Sequence, residues 1–176
     1  MKWLLVAGLV VVALVAIVFA VGMMLPVGHT ASRTAQVSRP PGEVWALLAT
    51  PERFPAWRSG IKSATSLQSE GRWSGWREEG KFGPMAYALV EADAPRRLVA
   101  RVEGEKAFGG TWTYLLEPVD GGATRLTITE DGEVYSPLFR FMSRFVFGHH
   151  ATIDQYLRDV QAAPAGAAIP PGTPAS

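Results

Sequence analysis

Two side chains in this sequence stand where acid–base chemistry would need them. Glu130 is in phase with Leu126 and Ile128 along an alternating stretch, so the three share one face of a strand. If that face points inward, Glu130 is a carboxylate among apolar groups, with a raised pKa and a proton to give or take. His149 lies in an apolar stripe of helical spacing further on. Facing each other across a cavity, the two would form an acid/base pair suited to aldol cyclisation or dehydration. Each also has a plainer reading. Glu130 would then sit at a wet strand end or pair with an arginine, and His149 would be a structural histidine. Asp131 and Glu133 point the other way.

Other chemistries have no residues to support them. The chain lacks cysteine, which removes disulfides, thiolate nucleophiles and thiolate metal sites. It has three histidines, none spaced with an acidic residue as a metal ligand would be, so no metal and no cofactor are expected. There is no phosphate-cradling glycine loop, serine nucleophile motif or dinucleotide fingerprint. GEKAFGG, residues 104–110, reads as a hairpin loop, and its Phe108 with Phe82 would form a lid or dip into a membrane surface. With 17 basic and 16 acidic residues well mixed along 176, a nucleic-acid partner is not expected.

Aromatic residues are the second resource. Trp57, Trp73, Trp76, Tyr87, Trp112 and Tyr114 would line a cavity for a flat or lipidic ligand, or serve as ordinary core and hairpin packing. Trp112 and Tyr114 share a strand face with Leu116.

The elements that must position these residues follow from periodicity. Residues 29–37 alternate as a first strand, and two short helices follow the prolyl turn at 38–42, one at 43–49 and one from Thr50 as cap, with Pro51 at its first position, to about Trp57. From Ile61 the period is two, with strands expected at 61–68, 72–79, 84–94, 97–103, 110–118 and 123–135, separated by glycine turns. Such short connections make antiparallel hairpins. Residues 136–160, with Ser136 as cap and Pro137 at the first position, read as one amphipathic helix about 37 Å long. Its inner face divides into an apolar half, Phe141 to Phe145, and a half with the polar candidate His149. The fold class is therefore α+β, a curved sheet of about seven strands gripping a long C-terminal helix with a cavity between them.

Two segments flank that domain. An uncharged run begins at Trp3 and closes at Leu25; as a helix it spans about 34 Å, enough for a bilayer core. We read it as an uncleaved membrane anchor, against a cleaved signal peptide, whose apolar region is shorter. Positive charges scarcely bias its orientation, and the short N-terminal tail points to a domain outside the cytoplasm. The Pro/Ala-rich residues 162–176 are expected to be disordered. The organisation is thus an anchor at 1–28, a domain at 29–161 and a tail at 162–176.

SRPPGEVWALLATPERFPAWRSGI, residues 38–61, resembles the opening of polyketide cyclase/dehydrase-like proteins of the SRPBCC (START/Bet v 1-like) superfamily. A prolyl turn, a short helix ending in D/T-P-E-x-x-P-x-W and a strand are characteristic there. GTWTYLLEPVDGGATRLTITEDGEV, residues 110–134, resembles the late hairpin of the same family. The likeness spans about residues 30 to 161 and implies a helix-grip fold with an internal hydrophobic cavity. It implies no shared catalytic set, because that family mixes lipid binders, cyclases and other proteins.

The expected function is a membrane-tethered binder or carrier of a hydrophobic small molecule, a lipid, isoprenoid or polyketide-like compound. Trp57, Trp76, Tyr87, Trp112, Tyr114, Ile128, Phe141 and Phe145 are the expected ligand contacts. Lack of a complete catalytic set favours binding over catalysis. The alternatives are a cyclase or dehydratase using Glu130 and His149, and a protein-interaction module that docks a partner on its sheet or tail.

Overall fold

The computed structural model of the chain describes residues 2–81 and 83–167. Helix α1 (Lys2–Met24) is apolar on all sides and exposed along nearly its whole length. It leads into β1 (Gly28–Val37), α2 (Pro41–Leu48), a 3-10 turn (Pro51–Arg53) and α3 (Phe54–Trp57). Six strands follow: β2 (Ile61–Ser69), β3 (Arg72–Gly80), β4 (Gly83–Asp93), β5 (Arg97–Glu103), β6 (Phe108–Val119) and β7 (Ala123–Val134). Each lies within two residues of its expected place. The chain then forms α4 (Pro137–Met142), a π turn (Ser143–Phe147) and α5 (Ala151–Ala162).

The seven strands form one antiparallel sheet in the order β1-β7-β6-β5-β4-β3-β2. Short hairpins make β2 to β7 a meander, and β1 closes onto β7. Period-two alternation sorts the two faces. On the outer face, hydroxyls pair across β1 and β7: Thr30 with Asp131 at 2.7 Å, Ser32 with Thr129 at 2.9 Å and Thr34 with Thr127 at 2.8 Å. The inner face carries Ala31, Leu98, Ala100, Tyr114, Leu116, Leu126 and Ile128, all buried.

Helix α5 covers that face with Ile153, Tyr156, Leu157 and Val160, a stripe at three- and four-residue steps. Val44, Leu47 and Leu48 of α2 and Phe54 of α3 close one end of the core and are almost fully buried. Removing any one of these large side chains would cost about 2–5 kcal/mol.

The single helix expected at 136–160 is two helices. The turn at 143–147 widens to π geometry, and the Gly148 N–H bonds the Ser143 carbonyl at 3.0 Å. Gly148 then takes φ +73, a left-handed conformation that ends the helix cheaply only for glycine. The two pieces pack on different partners. α5 lies on the sheet, while α4 lies on α1, where a Cβ on Gly22 would run into the Pro137 backbone. Arg140 fastens this joint by donating to the Leu25 carbonyl at 2.8 Å and, more loosely, to the Tyr135 carbonyl at 3.4 Å.

Past α5, Ala163 and Ala167 are buried against the core, and the Arg39 guanidinium donates to the Ala163 carbonyl. The remainder of the expected disordered tail, residues 168–176, and the lid candidate Phe82 lie outside the described residues.

Candidate functional site

The concave face has a closed half and a half-open one. Under α5, Tyr114, Leu116, Leu126 and Ile128 are sealed. Further along the same strands, towards α4, coverage thins. Trp112, Val102 and Met85 are only partly buried there, and so is Glu130. Register explains the grouping, because Ala100, Trp112, Glu130 and Ala31 pair in one row across β5, β6, β7 and β1. The break at Gly148 is what leaves this half uncovered, since α5 starts only at Ala151.

A polar cluster is buried at the β3–β4 side of the closed half. Arg58, just after α3, donates to Glu78 of β3 at 2.6 Å, and both side chains are largely buried. The Glu78 carboxylate also accepts from the Trp76 indole at 3.2 Å and from the Tyr87 hydroxyl at 3.4 Å. The guanidinium lies over the rings of Phe54 (4.8 Å) and Tyr156 (4.6 Å). Burial pulls the Arg58 pKa down, but the neighbouring Tyr156 and Glu78 outweigh it and hold the guanidinium firmly charged. Burial raises the Tyr114 and Tyr87 phenols well above their ordinary value and Tyr156 to about 12, so all three stay neutral donors. The ring of Tyr114 lies 5.4 Å from that of Tyr156, and Trp76 stacks on Tyr87 at 4.8 Å. Asp159 of α5 ties the segment down by accepting from the Ser59 amide (2.7 Å) and hydroxyl (2.8 Å). The Trp57 indole N–H is buried with no hydrogen-bond partner among the described residues.

A second cluster borders the half-open region. His29 of β1 pairs with Gly132 of β7, and its ring fills the space over that glycine. A Cβ on Gly132 would lie 2.6 Å from His29 Nε2 and 3.2 Å from Glu130 Oε1, so imidazole and carboxylate share one small patch. His149 stacks on His29, with ring centroids 3.9 Å apart. Burial pushes the Glu130 carboxyl up to about 7. It also lowers both imidazoles, with a further push on His29 from His149 and on His149 from Arg144.

The expected site residues separate accordingly. Trp57, Trp76, Tyr87, Tyr114 and Ile128 come together in the buried core, and Trp112 stands at its edge beside Glu130. Phe141 is half-buried and packs on Phe145 at 4.8 Å, but Phe145 is 60% exposed. His149 meets His29 rather than lying alone opposite Glu130. Arg58, Glu78, Tyr156 and His29 were not singled out from the sequence as site residues. Strand parity carried a usable signal for Glu78 and His29, since Glu78 is in phase with Trp76 and His29 with Ala31. A depression of about 270 Å³ lined by Ser63, Thr65, Leu67, Arg77, Glu78, Glu79 and Pro84 lies at β2, β3 and the start of β4, and shares Glu78 with the polar cluster.

Among known proteins, the family model described as polyketide cyclase/dehydrase and lipid transport matches residues 28–156. No curated protein matches the chain in sequence. Similar solved structures include a START superfamily protein from Mycobacterium smegmatis, 17% identical, with a TM-score of 0.62 over 76% of this chain and 94% of that one. The Zhui aromatase/cyclase from Streptomyces sp. R1128 is 14% identical, with a TM-score of 0.65 over 76% and 92%. A conserved protein from Geobacillus kaustophilus is 18% identical, with a TM-score of 0.62 over 76% and 93%. At these identities the likeness shows the fold alone.

Proposed function

The chain belongs to the polyketide cyclase/dehydrase and lipid transport family, and from that premise we propose that it binds and carries a hydrophobic small molecule on a membrane-tethered domain. One observation carries the reading. The aromatic concave face is sealed under α5 but left half-covered at Trp112, Val102 and Met85, where an apolar ligand would complete the burial. Trp112 would stack on the ligand, with the Trp76–Tyr87 pair and Tyr114 as the wall behind it. A lipid, an isoprenoid or a polyketide-like compound has the apolar area this surface asks for.

The domain organisation follows the same reading. Residues 1–28 are the anchor, residues 29–161 the binding domain outside the cytoplasm, and the Pro/Ala-rich segment a tail. Lipid extraction of the full chain purified in mild detergent, followed by mass spectrometry, tests the binding. A co-purifying apolar compound, depleted in Trp112→Ala, supports it; no ligand and no uptake of fluorescent lipids would sink it.

A second reading rests on Glu130. A carboxyl with its pKa near 7, beside a neutral imidazole, is a proton donor next to a proton acceptor. In loss of water from a β-hydroxy carbonyl compound, His29 would take the α-proton. The hydroxyl would leave with the proton of Glu130, and a carbon–carbon double bond would form. Compounds recovered from wild type and from Glu130→Gln would then differ by one water; identical compounds would exclude it.

A further inference from the structure

We propose that the α4 end of the sheet lies in the bilayer interface, with Leu138, Phe139, Phe145 and Val146 immersed among the lipids. The inference rests on the reading of α1 as an anchor and deepens it, because it fixes how the domain stands on the membrane. These four side chains, on α4 and the π turn, are 48%, 52%, 60% and 57% exposed. Phe108, at the start of β6, is 36% exposed, and Val27, just before β1, 42%. Two backbone bonds hold both at this end: Val134 N–H to the Val27 carbonyl and Tyr135 N–H to the Ala107 carbonyl, each 2.9 Å.

The position of α1 identifies the occupant as lipid. Pro137 packs on Gly22, two residues before the end of α1 at Met24, so α4 begins at the depth of the last turn of the span. A segment at that depth meets acyl chains and headgroups unless protein covers it. Its composition suits that boundary: aromatic and aliphatic side chains outward, with Arg140 turned to the Leu25 carbonyl and Arg144 exposed. Asp120, at the opposite end of β6, would stand a strand's length, about 40 Å, above the surface. The half-open region at Trp112 and Glu130 then faces the bilayer, which makes bilayer lipid the nearest source of ligand.

The absence of cysteine makes the test direct. Single variants Phe139→Cys, Val146→Cys, Val12→Cys and Asp120→Cys of the full chain are spin-labelled and placed in phosphatidylcholine/phosphatidylglycerol vesicles. Collision with oxygen, which concentrates in lipid, is compared with collision with a water-soluble nickel chelate. We expect the labels at 139 and 146 to favour oxygen, as the label at 12 does, and the label at 120 to favour nickel. If 139 and 146 behave like 120 while 12 is in lipid, the inference falls and the anchor stands. Shielding of 139 and 146 from both reagents would show a protein neighbour or second copy and would also overturn it. A label at 12 in water, or loss of α1 by intact mass, would sink the anchor and the inference together. Ligand recovery by extraction is read separately.

Discussion

His29 and His149 stack their imidazoles with centroids 3.9 Å apart and planes inclined by 28°. One ring stands on β1, the first strand after α1, and the other in the break between α4 and α5. The stack thus clips the C-terminal break to the edge strand, directly over Gly132 and beside Glu130. Arg144, His150 and Asp131 act on the two rings electrostatically.

This clip should weaken in acid. Both imidazoles titrate below their ordinary value, chiefly through burial, so the fold favours their neutral forms. Their contribution is present above pH about 6.5 and is lost as pH falls through the depressed folded values. Melting temperatures of the full chain in detergent should drop between pH 7.5 and 5, and less so in His149→Phe. An equal drop in the variant would rule out the clip as the cause.

Glu130 should show the opposite trend. Its folded pKa of about 7 lies above the unfolded value, so its contribution is full below pH about 4.5 and disappears as pH rises through 7. Glu130→Gln should therefore raise stability at pH 8 by about 2 kcal/mol, discounted for partial solvation, and change little at pH 4. Urea unfolding at the two pH values is the check.

The Arg58–Glu78 pair should be costly to break and cheap to replace. Arg58→Met leaves Glu78 buried without its cation and should cost about 3–5 kcal/mol. Arg58→Met combined with Glu78→Leu should recover much of that loss. A double-mutant cycle by denaturant unfolding measures the coupling.

Trp112 and Trp76 should separate binding from folding. Trp76 is 2% exposed, and Trp76→Ala should cost about 3–5 kcal/mol. Trp112 is only partly buried, so Trp112→Ala should cost clearly less while reducing lipid uptake at least tenfold. Comparing midpoints with fluorescent-lipid titrations resolves the two effects.

Local pattern was enough for the strands, because alternation along a strand is a property of consecutive residues and needs no knowledge of the partner. The seven strands, the shared phase of Ile128 and Glu130, the two short helices after the prolyl turn and the apolar run at α1 were all legible from local pattern. The site was legible only in part. The phase of Glu130 with Ile128 was legible but left open whether that face is buried or wet, and its neighbour His29 lies on β1, far away in the chain, and is brought there by the β1–β7 register. Arg58 and Glu78 likewise meet only because the chain after α3 lies against β3. Residues 136–160 mark the boundary most clearly. Their three- and four-residue apolar spacing records that the side chains are covered or coverable, and carries no record of the covering partner. Only the tertiary structure divided that stripe at Gly148, assigning α5 to the sheet and α4 to the end of α1, because each half had a different apolar surface within reach.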